Sequence, residues 1–189
     1  MPQRPLIQAA SPAVRPPNQP HNLSRSGAVA TREDIERIRE IATHFRQAIE
    51  RCDLPRLGPT FEEFPAGSCG DATPLLGTYL CEQGFGQFGY MLGERPIPND
   101  WQTQSHAWLQ QGELIVDITA DQFPEVSEPV IVTAESAWHS QFEGTLQHAA
   151  DYRVYGGHAT PMLHHAYIQI MERLQDVPTS RGYPNGKKS

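Results

Sequence analysis

The chain has 189 residues, with 22 acidic and 15 basic side chains and a formal net charge of −7. That length suits one domain, or one domain with tails, and no stretch approaches the ~18 consecutive apolar residues of a membrane-spanning helix. The charge is uneven. Residues 1–30 carry Arg4, Arg15 and Arg25 and no acid, whereas residues 31–175 hold 9 arginines, no lysine and 21 acids, a net −12. So acidic a body excludes nucleic acid as the main partner.

Residues 1–30 contain six prolines and few large apolar side chains. Such a segment cannot bury enough surface to offset its ordering entropy, and it is expected to be a disordered tail that could recruit a protein partner. Residues 176–189 are expected to be a flexible C-terminal tail. The ordered unit is expected over 31–175.

Thr31 is a helix cap, with Glu33 and Asp34 favourable in the first turn. Ile35, Ile38, Ile41, Ala42, Phe45, Ala48, Ile49 and Cys52 then recur at helical spacing. After a Pro/Gly-rich break, a second helix is expected over about 70–83 and a strand over 86–94. Gly84 to Gly89 is glycine-rich but lacks the following helix and Lys of a phosphate loop, so it is a turn into that strand. A polar loop covers 95–103. Ser105 to Thr119 forms two strands around Gln110-Gln111-Gly112-Glu113, Val130 to Val132 a short strand, and Thr133 caps a short helix carrying Trp138. Asp151 to Tyr155 is expected as the last strand, and Thr160-Pro161 starts a final helix to about Gln175. Helices framing an antiparallel sheet make the class α+β.

The three cysteines, Cys52, Cys69 and Cys81, form neither a disulfide framework nor a CxxC. No apolar run follows the N-terminal arginine as in a secretory signal. The expectation is a reduced, cytoplasmic protein, with Cys52 and Cys81 buried on apolar helix faces.

Cys69 stands in Gly67-Ser68-Cys69-Gly70-Asp71. If Ser68 caps the following helix, Cys69 occupies its first turn, where the partial positive charge favours the nucleophilic thiolate. Pro74, five residues on, leaves open a helix start at Cys69 or at Thr73. A nucleophile needs a base, and the base an orienting group. With Gln111-Gly112 as a two-residue turn, His106 stands opposite Asp117, where Cβ atoms are ~4.5–5.5 Å apart. A three-residue turn would place His106 opposite Val116 instead. An aspartate inside Leu114-Ile115-Val116-Asp117-Ile118 needs a polar partner, because burying a carboxylate alone is costly.

His139, His148, His158, His164 and His165 fall outside this constellation. They lack convergent ligand spacing, so neither a metal nor a cofactor is expected. Trp138-His139 is assigned to packing, with substrate lining as a second reading. The Cys69 backbone N–H is the default oxyanion donor, and Gln122 either joins it or braces the loop after Asp117.

Three segments carry a resemblance: Gly67-Ser68-Cys69-Gly70-Asp71-Ala72, Ser105-His106-Ala107-Trp108-Leu109, and Ile115 to Phe123. Together they resemble the transglutaminase-like branch of the papain-like cysteine hydrolases. More closely, residues 60–145 are similar to a group of uncharacterised bacterial proteins with these blocks plus a Pro-Val-Ile-Val-Thr…Trp-His segment, 129–139 here. The resemblance implies a papain-like fold with N-terminal helices packed on an antiparallel sheet, a nucleophilic cysteine at a helix start, and strands carrying histidine and aspartate. Cys69, His106 and Asp117 match those positions in order. The implied function is a thiol hydrolase or acyl-transfer enzyme acting on a peptide, amide or ester. Two alternatives are a catalytically silent binding or immunity-type protein that retains the fold, and an acyl-CoA-dependent N-acyltransferase.

Overall fold

The computed structural model describes residues 30–97 and 101–176. The two expected tails lie outside the described residues except for Ala30 and Asp176. Helix α1 spans Arg32–Glu50, and Thr31 and Asp34 close its start as a reciprocal capping box. A short helix α2, Leu54–Leu57, and a 3-10 turn, Pro59–Phe61, lead to helix α3, Cys69–Leu80. Five strands follow: β1 Gly89–Pro96, β2 Thr103–Gln111, β3 Leu114–Asp117, β4 Ile131–Thr133 and β5 Glu143–Ala149. Helix α4, Ala159–Gln175, is the last element among the described residues. The strands form one antiparallel sheet in the order β4-β3-β2-β1-β5, with helices packed against it. No helix among the described residues is long and apolar enough to cross a membrane.

Several expectations are corrected. The hairpin turn is Gly112-Glu113, with Gln111 opposite Leu114 and Gly112 at φ 60°, the positive value such a turn accommodates at its first position. This moves the register by two residues, so Asp117 does not stand opposite His106. An even shift preserves the face, because side chains alternate with period 2. His106 is therefore a diagonal neighbour of Asp117, still within reach of long side chains. Residues 151–155 hold a 3-10 turn, Tyr152–Val154, and the last strand is instead β5. Thr133 ends β4 and starts no helix. Its hydroxyl accepts the Glu135 N–H at 3.1 Å, and a 3-10 turn, His139–Gln141, comes later. His158 caps α4, placing Thr160-Pro161 inside its first turn. Cys52 and Cys81 are only half-buried.

Alternation along the strands divides the apolar residues between two clusters. Ala107, Leu109, Val116 and Val132 join the main core with α1, α3 and α4. Trp108 forms a smaller cluster with Phe123 and Phe142, lined by Met91, Ile115 and Trp138. Gly93 and Gly144 make room for it, because a Cβ at either would stand 2.8 Å from the Trp108 ring.

Arg46 ties α1 to the segment after β3. Its side chain is 8% exposed, and its guanidinium is bidentate to Asp121 at 2.6 and 2.8 Å. It also donates to the carbonyls of Ile118 and Pro129 and to Glu50, and lies over the Phe64 ring. Removing one member of a buried ion pair strands the rest. Arg46→Met should therefore lower unfolding free energy by about 3 kcal/mol, the low end for a buried pair with a partly exposed acid. Urea unfolding measures this, and an unchanged midpoint contradicts it.

Candidate functional site

Cys69 is the first residue of α3. Ser68 precedes it but does not cap through its side chain. Its hydroxyl donates instead to the Thr60 carbonyl at 2.6 Å. The helix therefore starts at Cys69, continues through Pro74, and leaves its first-turn amides without a hydroxyl acceptor from Ser68. One turn on, the Thr73 hydroxyl donates to the Ala107 carbonyl at 3.2 Å. Residues i and i+4 share a helix face, so this bond sets Cys69 beside the strand that carries His106.

His106, fully buried on β2, meets Asp117 at the end of β3, with Nε2 2.6 Å from Oδ2. Asp117 Oδ1 is occupied separately, by the Thr119 N–H at 2.8 Å and the Thr119 hydroxyl at 3.1 Å. Since an ionised carboxylate only accepts, we assign the His106 proton to Nε2. That leaves Nδ1 for the other side, where the Gln122 amide lies 3.4 Å away. Gln122 spans the site: it donates to the Thr119 carbonyl at 2.9 Å and accepts the Gly67 N–H at 3.2 Å.

The electrostatics follow from this chain of contacts. Burial pushes the Asp117 carboxyl up. The charge and hydrogen bond of His106, with a hydrogen bond from His139, outweigh it and hold Asp117 well below the usual carboxylate range. Burial pushes His106 down, but Asp117 and then Cys69 outweigh it, raising His106 to about 9. Burial pushes the Cys69 thiol up. Hydrogen bonding and charge from His106, then the Ala107 backbone and the Gln122 side chain, bring it below its ordinary value. Imidazolium and thiolate are thus favoured together.

His139 is a correction to the expected constellation, for it lies inside the site. It is 3% exposed, and its Nε2 is 3.0 Å from Asp117 Oδ2. It is 22 residues from Asp117 in sequence, and the turn after β4 returns it to the end of β3. The only sign of it in the sequence is its place in the Trp-His segment of the resemblance. Trp138 lies 5.3 Å from the His106 ring, edge-on, so it walls that ring as well as packing its own turn.

His106, Asp117 and His139 offer ligand atoms within 4.8 Å of one another. Ligands held at zinc-like bonds of ~2.0–2.2 Å in tetrahedral geometry stand roughly 3.3–3.6 Å apart. The 2.6 and 3.0 Å separations fit shared protons instead. Comparison with protein-family models, curated proteins and solved structures finds no significant match for this chain.

Asp117→Asn removes the charge that outweighs burial at His106. The imidazole should then lose its proton below its ordinary range. The thiolate loses its counter-ion, and iodoacetamide alkylation of Cys69 at pH 7 should slow by at least about tenfold, the effect of one pKa unit. Peptide mass spectrometry across a pH series measures it, and an unchanged pH profile contradicts it.

Proposed function

We propose that this chain is a thiol-dependent acyl-transfer enzyme, a hydrolase or transferase of the papain-like, transglutaminase-like type, acting on an amide or ester. The observation that carries this reading is the buried Asp117–His106 pair, 2.6 Å apart, with the His106 ring acting on the half-buried Cys69 thiol at the head of α3. Charged residues are rarely buried without a structural or chemical reason, and perturbed groups clustered around a thiol point to chemistry. The blocks around Cys69, His106 and Asp117 add the family resemblance.

In this mechanism the Cys69 thiolate attacks the substrate carbonyl carbon, and the carbonyl electron pair moves to oxygen. The Cys69 N–H at the helix start, where the dipole is positive, stabilises that oxyanion. The tetrahedral species collapses, and the bond to the leaving amine or alcohol breaks. His106 gives the leaving group its Nδ1 proton. A thioester remains on Cys69. Water or an amine then loses a proton to His106 and attacks the thioester carbonyl, releasing product and restoring the thiolate–imidazolium pair. Asp117 holds the ring in orientation and stabilises its charged form throughout. Gln122 braces the loop through Thr119 and stands beside both Cys69 and His106, and in this reading its amide serves as a second oxyanion donor.

An activated acetyl ester should acylate wild-type Cys69 as a thioester detectable by intact-mass spectrometry. Cys69→Ala should remove the adduct, and His106→Gln should slow acylation by roughly 10²–10⁴, the usual contribution of a general acid–base. A thioester formed from acetyl-CoA would mark the N-acyltransferase alternative. A Cys69 that takes no acyl group and reacts as an ordinary thiol would contradict the enzymatic reading and leave the silent binding protein.

A further inference from the structure

The acyl-transfer chemistry uses one of the two imidazoles that meet Asp117. His139 Nε2 lies 3.0 Å from Oδ2, the same oxygen that stands 2.6 Å from His106 Nε2. Neither ring has an alternative on this carboxylate, because Thr119 occupies Oδ1 through both its N–H and its hydroxyl. His139 is itself held in place. Its Nδ1 is 2.7 Å from the Ser136 hydroxyl, and that same hydroxyl oxygen accepts the His139 backbone N–H at 3.2 Å. Ring contacts with Trp138 at 4.8 Å and Trp108 at 5.2 Å fix its plane.

Two donors on one oxygen share its charge, so each weakens the other's bond. We propose that His139 is a positioning residue of this site: by donating to the oxygen that Asp117 offers His106, it anchors the carboxylate and tempers the basicity of His106, with Ser136 setting the His139 ring. The inference rests on the acyl-transfer reading and deepens it. A base locked too tightly to its carboxylate returns its proton poorly to a leaving group, and general acid–base catalysis works best near the operating pH.

The charged and titratable groups around the pair are few. Cys69 faces His106 from α3, and Asp117 faces both rings from β3. From β1, Arg95 lies over the faces of Phe123, Trp138 and Phe142 and pairs with Glu125, so the aromatic wall stands between it and the two imidazoles. Asp121, from the turn after β3, is spent on Arg46. Among the described residues His139 is thus the group placed to compete with His106 for Asp117.

The test follows the His106 ring by NMR in histidine-labelled protein, its signal assigned with His106→Gln, for wild type, His139→Leu, His139→Gln and Ser136→Ala. Wild-type His106 should titrate at about 9. With the competing donor gone, the His139→Leu variant should hold the His106 proton roughly three- to tenfold more tightly, an upward move of ~0.5–1 pH unit. His139→Gln, whose side-chain amide can still donate to the oxygen, should return most of the way to wild type. Ser136→Ala should move the titration in the same upward direction by less. A folded His139→Leu protein titrating as wild type overturns the inference, as does a His139→Gln protein indistinguishable from His139→Leu. Should the leucine variant not fold, Ser136→Ala decides, and an unmoved titration there overturns the inference equally. A wild-type His106 that titrates in its ordinary range overturns the acyl-transfer reading and this inference with it. A raised His106 that no variant moves overturns the inference alone.

Discussion

A carboxylate with 2% exposure needs a donor at each accepting position, because an unpaired buried charge costs several kcal/mol. Asp117 finds four donors: the Thr119 N–H and hydroxyl on one oxygen, and His106 and His139 on the other. They come from three parts of the chain: β2, the loop that follows β3, and the turn after β4. The demand of one buried charge thus gathers these segments at the end of β3. The smaller aromatic cluster excludes water around them, and low local polarity strengthens each bond made there. The arrangement that satisfies Asp117 is also the arrangement that orients His106.

Cys69 reaches this centre from a separate layer. Helix α3 is apolar enough to lie in the main core, with Ala72, Leu75, Leu76 and Leu80 all buried. The Thr73 bond to Ala107 sets its position along β2. Gly77 lets the helix approach closely, since a Cβ there would overlap Ala150. His106 therefore sits fully buried, while Cys69 stays half-buried at the helix head. That division is the one the proposed acyl transfer requires, with the thiol accessible and the imidazole protected from solvent. Arg46 performs a comparable service on the far side, holding the 118–129 segment from which Thr119 and Gln122 reach the site.

Much of this was legible from residue types, for identifiable reasons. Helix α1 carries both a cap and a long apolar period, and both are local signals. The β2–β3 hairpin is visible through glycine placement and apolar runs, whereas Pro74 leaves the start of α3 open between Cys69 and Thr73, and the backbone selects Cys69. The hairpin register was read two residues out, since Gln-Gln-Gly-Glu offers several turns and only the backbone selects Gly112-Glu113. His106 and Asp117 still met, because an even shift keeps both on one face. Strand β5 was hidden, as an edge strand exposed over most of its length has no alternating pattern to betray it. Residue types assign His139 to packing and say nothing of Arg46, because their roles depend on partners 22 and 75 residues away. A histidine beside a tryptophan looks like packing until the carboxylate it serves is placed.

The central claim is a coupling: His106, held protonated by Asp117, draws the Cys69 thiol below its ordinary range. The thiolate absorbance in the ultraviolet, taken as the difference between wild type and Cys69→Ser through a pH titration, reports that coupling directly in the resting protein. The predicted result is a thiolate that emerges below the ~8.5 of a free cysteine. A thiolate signal that emerges only around that ordinary value would contradict it.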